Sequence, residues 1–123
     1  KEAWDILIFD FKKMTDVSIR YMCHIPSLEL EQDEQEVVYR IVQEGITNAV
    51  RHGHASVIYV TIAKEGNTLI LIIEDNGKGC KDIKKGFGLN HMQDRIDLLH
   101  GDIRFYGQNG FTIIAEIPIR QGE

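Results

Sequence analysis

The sequence lacks the features that define several classes of protein. Its 123 residues include two cysteines, Cys23 and Cys80, and neither belongs to a C-x-x-C pair. A zinc site or a dithiol redox motif is therefore not expected, and the cysteines suit a reducing compartment. The sequence shows neither a signal peptide nor a transmembrane run. The net charge of −5 disfavours general binding to nucleic acid or to a membrane surface.

From these absences we expect a cytoplasmic domain with no nucleic-acid partner and no direct membrane contact. The abrupt start at "KEAWDIL" leaves open a longer protein, and the sequence does not say whether that protein is anchored in a membrane. What the chain does contain is 43% hydrophobic residues, which is enough for the core of a single domain over residues 1–123.

The hydrophobic pattern predicts three helices and five strands. Apolar residues at helical spacing predict helices over residues 3–14, 30–52 and 89–99, the last one closed by Gly101. Alternating or short apolar runs predict strands over residues 17–25, 56–63, 68–74, 102–107 and 111–119. The order α-β-α-β-β-loop-α-β-β predicts an α+β fold: a two-layer α/β sandwich in which helices cover one face of a mixed, mostly antiparallel sheet.

The long helix carries the stretch "EGITNAVRH". Glu44, Asn48 and His52 are spaced at i, i+4 and i+8, so they project from one face, which is separate from the apolar stripe. An acid, an amide and an imidazole in this arrangement suit a magnesium–phosphate site, because Mg²⁺ prefers oxygen ligands and keeps several waters. A solvated helix face is the alternative, and this helix alone does not exclude it. A metal site at His52 and His54 is disfavoured, because no third ligand has suitable spacing.

The stretch "IIEDNGKGC" follows a buried strand with an acid, an amide and two glycines. One interpretation is a hairpin turn, which Asn-Gly often forms. The other is a ligand loop, in which Asp75 accepts a hydrogen bond from an exocyclic amine such as that of adenine. An EF-hand is excluded because Gly77 stands where that loop needs an acid or an amide.

A third stretch, "KDIKKGFGLNH", has three lysines and a G-x-G before a helix. Free N–H groups at a helix start can bind phosphate, and the lysines add local positive charge. A flexible loop is the alternative, since no Walker or dinucleotide motif is present. We expect residues 80–88 to be mobile without a ligand and ordered with one.

Together these stretches resemble the ATP-binding catalytic domain of bacterial sensor histidine kinases, in the superfamily shared with gyrase and the heat-shock chaperone ATPase. "EGITNAVRH" is similar to the family's N box, "DNGKG" to its first glycine box and "GFGLNHMQDR" to its second. The closest subfamily has a second box of the form G-x-G-L-x-x-M-x-x-R and a very short lid. The resemblance covers nearly the whole chain.

The resemblance implies roles for individual residues. Asn48 would coordinate Mg²⁺, and Glu44 would orient a metal-bound water or assist transfer, which makes these two the candidate catalytic residues. Asp75 would bond the adenine amine. The other residues implied in binding the nucleotide are Arg51, His52, Gly77, Gly79, Lys85, Gly86, Gly88, Leu89 and Thr112. One departure stands out: Phe111 follows Gly110 where the family usually has threonine, and Thr112 comes one place later.

The resemblance also implies an activity. The chain would bind Mg-ATP and donate the γ-phosphoryl group to a histidine on a dimerisation module outside this chain, within a full-length homodimer that signals to a response regulator. No histidine here lies in the H-[DE]-type stretch of a phosphoacceptor. An anti-sigma-factor-type serine kinase, or partner-switching module, of the same superfamily is the alternative function.

Overall fold

The computed structural model describes residues 3–25, 30–80 and 88–120. The described elements confirm the predicted order, with bounds close to those expected. They are α1 (Ala3–Met14), β1 (Ser18–Cys23), α2 (Gln32–Arg51), β2 (Val57–Glu65), β3 (Thr68–Asp75), α3 (Leu89–Leu98), β4 (Asp102–Tyr106) and β5 (Thr112–Pro118).

The strands form a five-stranded sheet in the order β1-β2-β3-β5-β4. β1 and β2 run parallel, and the other three neighbouring pairs are antiparallel. Alternate residues of the central strands are buried on one face, as expected when only one side of a sheet is covered: Ile58, Val60 and Ile62 in β2, Leu69, Leu71 and Ile73 in β3, and Ile113, Ala115 and Ile117 in β5. The predicted α+β sandwich is confirmed.

α2 packs closely on this buried face because a glycine sits at the point of contact. A Cβ atom at Gly45 would lie 2.7 Å from Cδ1 of Ile73 and 3.3 Å from Cδ1 of Ile113, so a larger residue would push the helix away from the sheet. Gly45 therefore allows α2 to lie close to β3 and β5.

The start of α2 is fixed by charged groups. Glu31 and Glu34 form a capping box, in which each side chain accepts a hydrogen bond from the other's backbone. Glu34 is buried, and its Oε2 also accepts bonds from the backbone N–H (2.9 Å) and Nε (3.3 Å) of Arg120. The Arg120 guanidinium donates to Asp33 as well, and this bond holds the pKa of the Asp33 carboxyl below its usual value. The segment after β5 is thereby tied to the start of α2.

α1 is attached to the edge of the sheet by one polar contact and an apolar stripe. Trp4 and Ile8 are buried, and the hydroxyl of Tyr21 in β1 donates to the carboxylate of Asp5. Burial, with help from this hydrogen bond, raises the pKa of Tyr21 above its usual value. No helix in the described ranges is both long and apolar enough to cross a membrane.

The end of α3 differs in detail from the prediction. Gly101 was expected in the left-handed position after the helix, but that conformation belongs to His100 (φ 61°). The N–H of His100 donates to the carbonyl of Asp97, and the N–H of Gly101 donates to that of Ile96, both at 3.0 Å. This is a Schellman motif shifted by one residue. Gly101 is needed for space instead, since a Cβ there would lie 2.5 Å from the carbonyl oxygen of Glu116.

Candidate functional site

Two pockets lie along α2: the inner one between the end of α2, the end of β3 and the residue before β5, and the outer one between α2 and the start of α3. The inner pocket has a volume of about 300 Å³, within the range of small-molecule sites, and is lined by Asn48, Ala49, His52, Gly53, Asp75, Lys78, Gly79, Cys80 and Phe111. The outer pocket has a volume of about 370 Å³ and is lined by Gln43, Glu44, Thr47, Asn48, Arg51, His52 and Gly88. Asn48 and His52 border both pockets, so one elongated ligand can occupy the two together.

Asp75 is the last residue of β3 and lies half-buried in the inner pocket. Its Oδ1 accepts hydrogen bonds from the N–H of Gly77 (2.8 Å) and the N–H of Phe111 (3.3 Å). Its own N–H donates to the carbonyl of Phe111 at 3.0 Å. These contacts fix the carboxylate, and because both side-chain bonds use Oδ1, the second oxygen is the one available to a ligand.

Asn76 decides between the two interpretations of the loop that follows. Its Oδ1 accepts from the N–H groups of Ser56 and Val57, both at 2.9 Å, and its Nδ2 donates to Oγ of Ser56 at 2.8 Å. Asn76 therefore anchors the loop to the start of β2 instead of forming a two-residue hairpin. The stretch is not a hairpin turn and lines the inner pocket; that it binds a ligand stays a prediction.

The glycines of this loop allow backbone segments to approach one another. A Cβ at Gly77 would lie 2.3 Å from the carbonyl oxygen of Gly53, and one at Gly79 (φ 69°) would lie 2.3 Å from that of Gly107. The same two carbonyls accept hydrogen bonds, at 2.9 Å, from the N–H groups of Lys78 and Cys80. Main-chain contacts that only glycine permits therefore form the floor of the inner pocket.

In the outer pocket, Glu44 is held by α3. Its Oε1 accepts a hydrogen bond from Nη1 of Arg95 at 2.7 Å, with 22% of the Glu44 side chain and 32% of the Arg95 side chain exposed. Its Oε2 lies against Gly88, where an added Cβ would be only 2.2 Å away. The start of α3 thus encloses the carboxylate that the helix pattern singled out.

The two pockets bring together most of the predicted site residues that the structure describes. Glu44, Asn48, Arg51, His52 and Gly88 border the outer pocket, and Asp75 and Gly79 border the inner pocket, where Gly77 donates to Asp75. Leu89 is fully buried in the core. Lys85, Gly86 and most of the expected lid at 80–88 lie outside the described residues.

Of the two residues that follow Gly110, Phe111 and not Thr112 borders the inner pocket. Side chains alternate along a strand, and the buried residues of β5 are Ile113, Ala115 and Ile117. Phe111 shares their face and borders the inner pocket, whereas Thr112 lies on the opposite face of the sheet. This difference could have been predicted from the sequence, because Phe111 lies two residues before the apolar Ile113 and Thr112 lies only one residue before it.

Lys78 and Arg95 both lie in the motifs quoted above, but no contact was predicted for either from the sequence. Lys78 adds a positive charge to the inner pocket, and Arg95 pairs with Glu44. The position of Arg95 in "MQDR" gave no indication of its partner 51 residues earlier.

The oxygen groups of the outer pocket fit a magnesium ion. Asn48 offers an amide oxygen and Glu44 a carboxylate, and Mg²⁺ is commonly held by one or two protein oxygens plus waters and substrate phosphates. No group of three or more His, Cys, Asp or Glu side chains in the described ranges is placed to hold a metal. The donor set therefore suits an ion that keeps most of its waters.

The family and the relatives that this chain is similar to agree with one another. Residues 33–121 match the family described as "Histidine kinase-, DNA gyrase B-, and HSP90-like ATPase". The sensor histidine kinase LnrJ of Bacillus subtilis (strain 168) is 40% identical over 120 residues, which cover 96% of this chain and 30% of that protein. The signal transduction histidine-protein kinase/phosphatase DegS of Brevibacillus brevis is 34% identical over 119 residues, covering 92% of this chain and 31% of that protein. The chain thus spans about a third of the length of these curated relatives.

Solved structures support the fold. The Erythrobacter litoralis EL346 blue-light activated histidine kinase superposes with a TM-score of 0.81 at 16% identity, over 94% of this chain and 40% of that one. The catalytic domain of histidine kinase ThkA superposes with a TM-score of 0.71 at 18% identity, over 93% of this chain and 86% of that one. With the match over residues 33–121, these findings show that the chain belongs to the family of histidine kinase-, DNA gyrase B- and HSP90-like ATPases.

Proposed function

We propose that this chain binds Mg-ATP and donates its γ-phosphoryl group to a histidine on a dimerisation module that lies outside the chain. The observation that carries the proposal is the carboxylate of Asp75, fixed by two backbone N–H groups at the end of a buried strand and facing a pocket of nucleotide-compatible size. Membership of the ATPase family supports ATP as the ligand.

The inner pocket receives the adenine ring. The free oxygen of Asp75 accepts a hydrogen bond from the exocyclic amine, whereas guanine presents a carbonyl oxygen at the same position and is repelled. The phosphates extend past Asn48 into the outer pocket, where Arg51 and His52 supply positive or hydrogen-bonding groups at its border. Lys78 adds a positive charge on the inner side.

Glu44 and Asn48 carry the roles closest to the reacting phosphate. Mg²⁺, when bound, neutralises phosphate charge and orders the triphosphate. Asn48 offers it an amide oxygen, and Glu44 accepts a proton or a hydrogen bond from a water at its free edge. The ion pair with Arg95 fixes the orientation of the Glu44 carboxylate.

The proposed partners follow from the lack of a recognised phosphoacceptor histidine in this chain. The two relatives reported above are named as histidine kinases and are about three times as long as this chain. Their names and length support a dimerisation module elsewhere in the same protein, a full-length homodimer and a response regulator as the final acceptor. The same names favour this function over the anti-sigma-factor-type serine kinase.

Titration of ATP with and without Mg²⁺ tests the proposal. The wild-type chain should bind ATP more tightly with Mg²⁺ than without it, and Asn48→Ala should abolish that difference while retaining binding of the adenosine moiety. Asn90→Ala removes an exposed amide of α3 and serves as the matched control. A folded wild-type chain that does not bind ATP would contradict the proposal, and an Asn48→Ala chain with an unchanged response to Mg²⁺ would contradict the metal assignment.

A further inference from the structure

We infer that the ring of Phe111 forms one wall of the adenine site and packs against the face of the base. The inference rests on the proposed binding of ATP and adds a residue to it. Phe111 borders the inner pocket together with Asp75 and offers a flat apolar surface there.

The backbone ties Phe111 to the residue that would recognise the base. Its N–H donates to Oδ1 of Asp75, and its carbonyl accepts from the N–H of Asp75. Gly110, immediately before it, has φ 88°, and a Cβ there would lie 2.0 Å from the carbonyl oxygen of Asp75. The backbone contacts of Phe111 and of the preceding Gly110 with Asp75 therefore fix the position of Phe111 relative to the Asp75 carboxylate.

The side chain points into the helix-covered layer and is supported from behind. Phe111 lies on the same face of β5 as the buried Ile113 and borders the inner pocket. Its ring stacks on that of Phe105 in β4, with centroids 6.3 Å apart and an angle of 29° between the planes. This arrangement orients the ring before any ligand arrives.

A supported aromatic wall beside a fixed carboxylate suits a planar base that carries an amine at its edge. The Phe111 ring packs on the flat face of the base, which all bases have, whereas the Asp75 carboxylate accepts a hydrogen bond from the amine at the edge of the base. The ring also excludes water from one side of the carboxylate, which increases the cost of leaving Asp75 without a donor. Phe111 thus adds affinity for the base, and Asp75 selects which base it is.

Substitution at Phe111 should therefore weaken every adenosine ligand by the same factor. We expect Phe111→Thr to reduce the affinity for adenosine, ADP and ATP on the order of tenfold each, independently of Mg²⁺, while Phe111→Tyr stays close to wild type. Phe111→Leu, which keeps apolar volume, gives a second variant. Phe11→Leu, at a half-buried phenylalanine of α1, is the matched control. Circular dichroism and thermal melting confirm that each variant is folded.

Proton NMR of the bound ligand gives a readout that a purely structural role would not change. The adenine H2 and H8 resonances should shift upfield on binding to the wild type and to Phe11→Leu, and this shift should be lost with Phe111→Leu. If the wild type binds ATP but Phe111→Thr and Phe111→Leu bind all three ligands as tightly, with the same ligand shifts, the inference is wrong and the proposed function stands. A wild-type chain that binds no ATP would overturn both.

Discussion

At the scale of the single residue, the two oxygens of Asp75 have separate tasks. Oδ1 accepts from two backbone N–H groups, and an asparagine can keep those bonds with its own oxygen while presenting Nδ2 where the second oxygen was. Asp75→Asn should therefore fold normally but face the adenine amine with a donor, weakening ATP and ADP binding by about 1–3 kcal/mol. Isothermal titration calorimetry measures this loss.

The neighbouring acid provides the control for that change. Glu74 is exposed, so Glu74→Gln removes the same charge at the preceding position of β3 and should leave ATP affinity almost unchanged. Equal affinities for the wild type and a folded Asp75→Asn would contradict adenine recognition by this carboxylate.

Candidate site residues could be predicted where a polar side chain stands at a position that the strand or helix periodicity defines. Asp75, at the end of an apolar run, and Glu44 and Asn48, one turn apart, were identified this way. Phe111 was recognised as a departure, but the expected contact was assigned to Thr112, on the wrong face of β5. The bond from Arg95 to Glu44 was not predictable, because a sequence does not say which distant acid an arginine meets.

At the scale of the element, the Glu44–Arg95 pair joins α2 to α3. Because both side chains are only partly exposed and the atoms are 2.7 Å apart, we expect a coupling energy of about 1 kcal/mol in a double-mutant cycle built from Glu44→Gln and Arg95→Met. The Asp102–Arg104 pair, at 3.0 Å with both side chains more than half exposed, should give less coupling in the same cycle.

Urea unfolding of the four chains of each cycle measures both couplings. Equal or smaller coupling for Glu44 and Arg95 than for the exposed pair would show that α3 is held to α2 by apolar packing alone.

The Arg120 contacts at the start of α2 make folding sensitive to acid. Because the bond from Arg120 lowers the pKa of Asp33 in the folded state, the stabilisation is fully present above the usual carboxyl range near pH 4 and is lost as the pH falls through the lowered pKa. The urea midpoint should therefore decrease from about pH 6 to about pH 3, and less so in Asp33→Asn. Asp10→Asn, an exposed acid of α1, is the control; equal pH dependence in all three chains would contradict this role.

The elements themselves followed from periodicity, since burial on one face repeats every two residues in β2, β3 and β5 and every three or four in α2. The ends of these helices and strands were predicted less accurately than the elements themselves. The left-handed residue after α3 is His100 and not Gly101, because the space beside Glu116 requires the glycine one position later. That requirement comes from tertiary packing, which a local pattern does not contain.

At the scale of the whole molecule, the proposed function gives the chain a phosphoryl donor but no recognised acceptor. None of its five histidines lies in an H-[DE] stretch, and in-line transfer needs a nucleophile at the γ-phosphorus. The isolated chain should bind ATP, incorporate negligible γ-phosphate and hydrolyse ATP slowly, as measured with radiolabelled nucleotide.

If the proposed function is correct, adding the proposed histidine-bearing dimerisation module as a helical hairpin, covalently or in trans, should produce an acid-labile phosphohistidine on that hairpin. The same hairpin with its histidine replaced by glutamine is the control. Stable phosphate on the chain alone, or hydrolysis as fast as that of dedicated ATPases, would favour an ATPase or serine kinase instead.

The main-chain contacts at the floor of the inner pocket also limit which amino-acid substitutions the site can accept. At Gly77 and Gly79 any Cβ would collide with a carbonyl oxygen 2.3 Å away, so every amino-acid substitution at these positions would disturb the backbone beside the inner pocket. A competitive inhibitor that takes its contacts from this floor would leave few routes to resistance. One that takes its contacts from side chains would lack this protection.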